Sequence, residues 1–115
     1  IEALNSQDGK DLACIAEMYF LDKDGSRLSR EPWIVKYADS EDVAHVNRSA
    51  DKTFDLQEST YWSTEKGSPY PHTIVIDLGS SHAVTGFQCL PRMESEVPGG
   101  IKDFKIYVKG ENFKY

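Results

Sequence analysis

The chain has few of the features that mark several protein classes. Its 115 residues include two cysteines, and no apolar run approaches the ~20 residues that a membrane helix needs. Thirteen basic residues stand against nineteen acidic ones, a net charge of -6. Because nucleic acids and anionic lipids are bound chiefly through clustered Lys and Arg, we expect neither nucleic-acid binding nor membrane insertion.

A catalytic motif is also missing, since no nucleophile and base stand together in a recognisable pattern. Glu17, Asp39 and Glu41 could pair in space, but solvation at the surface explains them. An enzyme is therefore the least favoured interpretation. The first residue is Ile1 rather than Met, and we expect the chain to be part of a longer protein.

The two cysteines give little information about the redox compartment. Cys14 and Cys89 each fall in an apolar predicted strand, where a free thiol behaves as a small buried hydrophobe. One disulfide between them is the alternative. We favour two free, buried thiols.

The first half of the sequence predicts strands separated by polar turns. Residues 13–21 are mostly apolar around Glu17 and predict one strand, and the Asp- and Gly-rich residues 22–25 predict a turn. Residues 33–37 are aromatic and β-branched and predict a second strand. Residues 38–52 are polar with little periodicity, which predicts an ordered loop with one helical turn.

The second half alternates more regularly between apolar and polar residues. Residues 74–78 and 104–108 each predict a strand with one buried face, and Phe104 is among the inward residues. Residues 83–90 predict a strand that Gly86 interrupts, as at a bulge or a close backbone approach. Many short strands with almost no helical period predict one all-β sandwich domain over residues 1–115.

The three histidines do not indicate a metal centre or a catalytic site. His72 begins a predicted strand, and His45 and His82 fall in predicted exposed loops. A single His without a second ligand nearby is weak evidence for either function.

Five blocks in sequence order resemble the discoidin domains, also called coagulation factor 5/8 type C domains, which include the family 32 carbohydrate-binding modules. The blocks are residues 50–55, 60–62, 71–72 with 76–79, 85–87 with 90–92, and 101–108. Residues 13–18, Trp33 and residues 37–41 are similar to modules attached to glycosidases of gut Bacteroidetes, such as hexosaminidases and chitobiases. The resemblance implies a jelly-roll β-sandwich that binds ligands on loops at one end. The last strands of that fold have no counterpart in this chain.

The resemblance also implies a sugar site, but only one of its usual residues carries over. Galactose-binding members have a His after the loop Trp, an aromatic three residues later, and a distant Arg and Asn. Arg92 matches the Arg, whereas Ser63, Lys66 and Val97 occupy the other three positions. The usual galactose site is therefore in doubt, and Arg92 could instead pair with acidic residues at the surface.

Sugar recognition also needs an aromatic face against the ring. Tyr61, Tyr70 or Trp33 could supply it from a neighbouring loop, whereas Trp62 is expected in the core. The predicted carbohydrate site therefore comprises Arg92 with Tyr61, Ser63 and Lys66.

A structural calcium ion beside this loop is a further implication of the resemblance. The family binds it through backbone carbonyls, an Asp that matches Asp55, a Thr that matches Thr60, and a Glu near its C-terminus. Hard oxygen ligands suit calcium. This chain has Leu56 where the family has Gly, Gln57 where it has Asp or Asn, and no counterpart of the distal Glu. These departures count against calcium.

Two functions follow from the sequence. The first is a non-catalytic carbohydrate-binding module that holds an attached glycosidase near its glycan, in an extracytoplasmic location. The second is a structural or protein-interaction domain that keeps the fold but has lost the sugar site, which the residues at positions 63, 66 and 97 favour.

Overall fold

Short antiparallel strands make up most of the regular structure of the chain. The computed structural model describes residues 1–7, 9, 11–57, 59–80, 82–90 and 100–107. The strands are Glu2–Ala3 (β1), Cys14–Ile15 (β2), Glu17–Leu21 (β3), Ile34–Ala38 (β4), Trp62–Ser63 (β5), His72–Asp77 (β6), Gly86–Leu90 (β7) and Phe104–Lys105 (β8). The described residues include a 3₁₀ helix at Ala50–Phe54 and no helix of membrane-spanning length and hydrophobicity.

The strands join in three antiparallel groups. One sheet has the order β4-β6-β1-β8, while β2 pairs with β5 and β3 pairs with β7. The beginning of the chain is therefore paired with its later strands, β1 with β8 and β3 with β7. The predicted all-β sandwich is confirmed, and so is the helical turn, which falls at the end of the predicted loop.

A chain of contacting aromatic rings runs through the core. The buried cluster is Ala13, Ile15, Met18, Phe20, Trp33, Ala50, Trp62 and Ile74. Trp33 packs 5.5 Å from Phe20 and 5.6 Å from Phe54 between ring centroids, and Phe20 in turn lies 5.5 Å from Phe87. Offset and edge contacts at this spacing stabilise aromatic pairs beyond the area they bury. Trp62 lies in the core, as expected.

Three boundaries differ from the prediction. The strand predicted over residues 13–21 is divided at Ala16 into β2 and β3. The Ala16 N–H donates to the carbonyl of Leu90 in β7 at 2.8 Å. Trp33 precedes β4, and the bulge lies in β4 between Val35 and Tyr37. At Gly86 strand β7 begins, and a Cβ there would lie 2.9 Å from Leu21. The close approach at Gly86 is to the Leu21 side chain rather than to another backbone segment, and the pairing of β7 with β3 shows no bulge.

Two residues expected inside are exposed. Phe104 belongs to the two-residue strand β8, and its ring covers Phe87 from the solvent side at 5.5 Å between centroids. Cys89 lies on β7, which pairs only with β3 among the described strands, and its side of that strand is open. Cys14 and Cys89 are not joined in a disulfide, and Cys14 is buried.

The predicted positions of the turn after β3 and of the three histidines are confirmed. Asp22 Oδ1 accepts the backbone N–H groups of Asp24 and Ser26 at 2.8 and 3.0 Å, which closes the turn after β3. His45 and His82 are exposed. His72 begins β6, where its buried ring lies 2.8 Å from Asp39 Oδ2 through Nδ1 and 3.0 Å from the Ser68 carbonyl through Nε2.

Candidate functional site

Two loops are joined at one end of the sandwich through the backbone of Ser63. The Ser63 carbonyl accepts the Asp42 N–H at 2.8 Å, and the Ser63 N–H donates to the Arg48 carbonyl at 3.1 Å. Arg48 N–H also donates to the Asp42 carbonyl at 2.9 Å. The segment 42–48 is therefore a closed loop held against residues 61–65.

Ser40 fixes the second half of this junction. The Trp62 indole N–H donates to the Ser40 carbonyl at 3.0 Å, and the Glu65 N–H donates to the Ser40 hydroxyl at 2.8 Å. The core position of Trp62 therefore sets the direction in which residues 64–67 leave the sheet. Lys66 lies exposed in the following turn, where Gly67 adopts φ +85°.

The other two predicted sugar residues in this loop are buried. The Ser63 hydroxyl donates to the Thr64 carbonyl at 3.0 Å and lies 3.4 Å from the Cys14 thiol. Tyr61 is 8% exposed, and the Arg48 guanidinium lies over its ring. Of Tyr61, Ser63 and Lys66, only Lys66 presents its side chain to solvent. Arg92 and Val97 lie outside the described residues.

The alternative stacking residues are also held inside the fold. Trp33 is buried in the aromatic core, so it cannot provide an open face. Tyr70 is half-buried, and its hydroxyl donates to the Leu12 carbonyl at 2.6 Å.

Sequence reasoning missed an apolar surface on loop 42–48. Val43 is 57% exposed and Val46 55% exposed, with exposed His45 between them. Two valines within a segment that also holds Asp42, His45, Asn47 and Arg48 were the available signal. The loop therefore offers a non-polar contact surface beside the Ser63 junction.

The two predicted metal residues lie together in the loop after the 3₁₀ helix. Asp55 Oδ1 accepts the Gln57 N–H at 3.0 Å, and Asp55 Oδ2 accepts the Thr60 hydroxyl. Thr60 Oγ1 also lies 3.1 Å from the Gln57 carbonyl oxygen. Leu56 adopts φ +67°, so the backbone takes the left-handed conformation that the usual Gly would favour.

A second carboxylate, that of Glu17, lies beside Asp55. Glu17 is 1% exposed and its Oε2 accepts a hydrogen bond from Arg30 Nη1. Its Oε1 has no partner among the residues that the structure describes. Burial raises the pKa of Glu17, Arg30 opposes the increase, and the neighbouring Asp55 carboxylate adds to it. The sequence signal was a charged residue at the centre of an apolar strand.

A cleft of about 260 Å³ opens next to this loop. Its lining consists of Arg30, Glu31, Asp51, Phe54, Asp55 and Leu56. Arg30 is held in place on the protein side, because its guanidinium carbon lies 4.2 Å from the Tyr19 ring centroid. The cleft therefore joins solvent to the neighbourhood of Asp55.

The oxygen atoms around Asp55 fit a hard cation. The described residues bring no three His, Cys, Asp or Glu side chains together as a metal site. A cation here would therefore depend on two carboxylates together with the Thr60 hydroxyl and the Gln57 carbonyl. Calcium accepts such mixed oxygen sets, and the partnerless Glu17 Oε1 leaves one carboxylate oxygen available.

Comparison with known proteins adds independent information. Residues 36–115 match the F5/8 type C domain family. The chain is similar to a sialidase of Micromonospora viridifaciens, 34% identical over 73 residues, which cover 60% of this chain and 11% of the sialidase. It is also similar to a galactose oxidase of Gibberella zeae, 31% identical over 91 residues, which cover 76% of this chain and 13% of the oxidase. The chain thus spans a small part of the length of these relatives.

Proposed function

The chain belongs to the F5/8 type C domain family, and from that premise we propose that it is a non-catalytic carbohydrate-binding module. Domains of this family are generally binding domains rather than catalysts. The observation that carries the proposal is the similarity to parts of a sialidase and a galactose oxidase, whose names describe enzymes that act on sugars. The ligand is therefore a glycan or oligosaccharide.

The module would hold an attached glycosidase near its substrate in an extracytoplasmic location. Tethering raises the effective concentration of a catalytic domain even when each binding event is weak. A weak site is consistent with the loop at residues 61–66, where only Lys66 among the predicted sugar residues is exposed. Arg92 supplies the fork of donors that sugar hydroxyls require.

The test is an NMR titration of the ¹⁵N-labelled chain with galactose, N-acetylgalactosamine, N-acetylglucosamine and fucose. Shifts should cluster at residues 61–66 and Arg92, and Arg92→Ala should weaken binding by about tenfold or more, since a charge-assisted hydrogen bond is worth at least that factor. Lys36→Ala is the control, because Lys36 is an exposed lysine on β4. Unchanged affinity in Arg92→Ala would remove Arg92 from the site.

A protein-interaction domain is the second candidate, and Val43 and Val46 favour it. Both valines are more than half exposed on a loop that hydrogen bonds hold in place, and exposed apolar surface marks contact sites when it is contiguous. Flat spectra with all four sugars would favour this function. Line broadening that grows with protein concentration and is lost in Val43→Asp would locate a self-contact at the loop.

We also propose that the domain keeps a structural calcium ion, with Asp55 and Thr60 among its ligands. The oxygen atoms of both side chains converge with the Gln57 carbonyl, and Leu56 takes the required positive φ despite its side chain. Calcium bound there would connect the 3₁₀ helix to β5.

A further inference from the structure

The carboxylate oxygen Oε1 of Glu17 is a buried polar atom that no described group satisfies. Glu17 is 1% exposed, and among the described residues this oxygen has no hydrogen-bond partner. A buried carboxylate oxygen without a partner is costly, because it gives up water and receives nothing in exchange. Arg30 satisfies only the other oxygen, Oε2.

Negative charge also exceeds positive charge among the described residues around Glu17. Glu17 binds Arg30, and Arg30 lines the same cleft as Asp55, so both carboxylates lie near one guanidinium group. Two neighbouring carboxylates repel each other unless a cation or a proton lies between them. Arg30 brings one positive charge, whereas Glu17 and Asp55 together carry two negative charges when both are ionised.

We propose that Glu17 is a ligand of the cation held by Asp55 and Thr60, and that it supplies a second carboxylate to the site from β3. Oε1 binds the ion, while Arg30 holds Oε2 and so fixes the orientation of the carboxylate. The inference rests on the calcium proposal above and adds one ligand to that site.

The fold brings Glu17 to this position through β3. The strand pairs with β7 on one side and packs against the 3₁₀ helix that leads into the Asp55 loop. Two residues further along β3, the Tyr19 ring lies between the guanidinium groups of Arg27 and Arg30, at 3.8 and 4.2 Å from the ring centroid. Arg30 is therefore held by stacking as well as by its ion pair, which keeps it on the Oε2 side.

Calcium fits this arrangement better than magnesium. The donors available are carboxylate, hydroxyl and carbonyl oxygens in an irregular set, which calcium accepts at six to eight coordination. Magnesium demands near-ideal octahedral geometry and gives up its water reluctantly. The cleft beside Asp55 and Leu56 gives the ion a route from solvent.

Calorimetric titration of calcium into the metal-free 115-residue chain tests the proposal. The wild-type chain should bind one ion, and Glu17→Gln should bind it at least about 10- to 100-fold more weakly, since that range applies to loss of a group that only supports a metal ligand. Gln has the same shape and can still accept from Arg30. Glu31→Gln removes an exposed charge from the same region and should change the affinity by less than about twofold, because surface charges are screened.

A second measurement needs no variant. Gadolinium ions added in place of calcium should broaden the backbone amide signals of Glu17, Asp55 and Thr60 before those of Lys66 and Lys36. Calcium binding that Glu17→Gln leaves unchanged, or broadening that spares Glu17, would overturn the inference while leaving the calcium site intact. No calcium binding by the wild-type chain would overturn both the calcium site and the role of Glu17 as its ligand. Neither result would affect the sugar titration.

Discussion

The guanidinium carbon of Arg48 lies 4.0 Å from the centroid of the Tyr61 ring. A sugar that stacks on an aromatic residue needs an open ring face, and Arg48 occupies the face that Tyr61 could offer. The Arg48 carbonyl is also bound by the Ser63 N–H, so the side chain starts from a fixed point of the backbone. The contact makes Tyr61 part of the support for the loop.

Arg48→Ala should lower the free energy of unfolding by about 1 kcal/mol, the usual size of a cation–π contact at a partly exposed site. The free energy of unfolding of Arg48→Lys should lie between those of Arg48→Ala and the wild-type chain, because Lys keeps the charge but not the planar group that stacks. Urea unfolding followed by tryptophan fluorescence measures both changes. Equal stability of Arg48→Ala and the wild-type chain would contradict a stabilising role for the stack.

Two glycines with the same backbone conformation should respond differently to alanine. Gly67 and Gly79 have φ +85° and +86°, but a Cβ on Gly79 would lie 2.9 Å from Pro32 Cβ, whereas one on Gly67 meets nothing within 4 Å. Gly67→Ala should cost about 1 kcal/mol from backbone strain alone. Gly79→Ala should cost about 1–3 kcal/mol more, because the backbone and the ring of Pro32 must move. Comparable unfolding midpoints in urea for the two variants would contradict this.

The sequence predicted the strands whose alternation is regular and the residues whose position follows from local chemistry. Trp62, His72 and the Asp22 turn lie as expected because the pattern around each is local. Phe104 is exposed although the alternating pattern places it on the inward face. Strand β8 is only two residues long, and the Phe104 ring packs on Phe87. Periodicity gives the face of a strand but not whether another element covers that face.

The environment of Glu17 could not be predicted in the same way. Its charge inside an apolar strand was visible, but its partners Arg30 and Asp55 come from two other segments and meet it only in the folded chain. Asp55 and Thr60 were predicted as a pair because the resemblance to the discoidin domains implies a ligand at each position, and both lie in one loop. Long-range pairing of charged groups leaves no periodic signal in a single sequence.

In EDTA, the contribution of Glu17 to stability should fall as the pH rises. Burial raises the pKa of Glu17 above its ordinary value of 4.5, so the folded chain holds a proton that the unfolded chain has released. The stabilisation from this proton is complete below pH 4.5 and is lost as the pH rises through the folded-state pKa. The measurement is the difference in unfolding free energy between the wild-type chain and Glu17→Gln at several pH values.

Excess calcium should reverse the direction of this dependence. A bound cation favours the ionised carboxylate and competes with the proton, so calcium should stabilise the wild-type chain more as the pH rises. The Glu17→Gln variant should show a smaller gain from calcium at every pH. A wild-type difference curve that is flat in EDTA would contradict the raised pKa of Glu17.

Leu56→Gly should stabilise the domain, although it removes a large apolar side chain. Leu56 has φ +67°, which costs a residue with a Cβ roughly 1–2 kcal/mol, and its 65% exposure means that little burial is lost. Against this, the greater flexibility that glycine gives the unfolded chain costs about 0.5–1 kcal/mol of stability. The net gain in the free energy of unfolding in urea should therefore be about 0.5–1 kcal/mol.

The neighbouring Gln57→Gly is the matched control, because Gln57 is not among the described non-glycine residues with positive φ and should only lose stability. If both variants are destabilised to the same extent, the left-handed conformation of Leu56 costs nothing, and the substitution of Gly by Leu carries no penalty for the loop that positions Asp55.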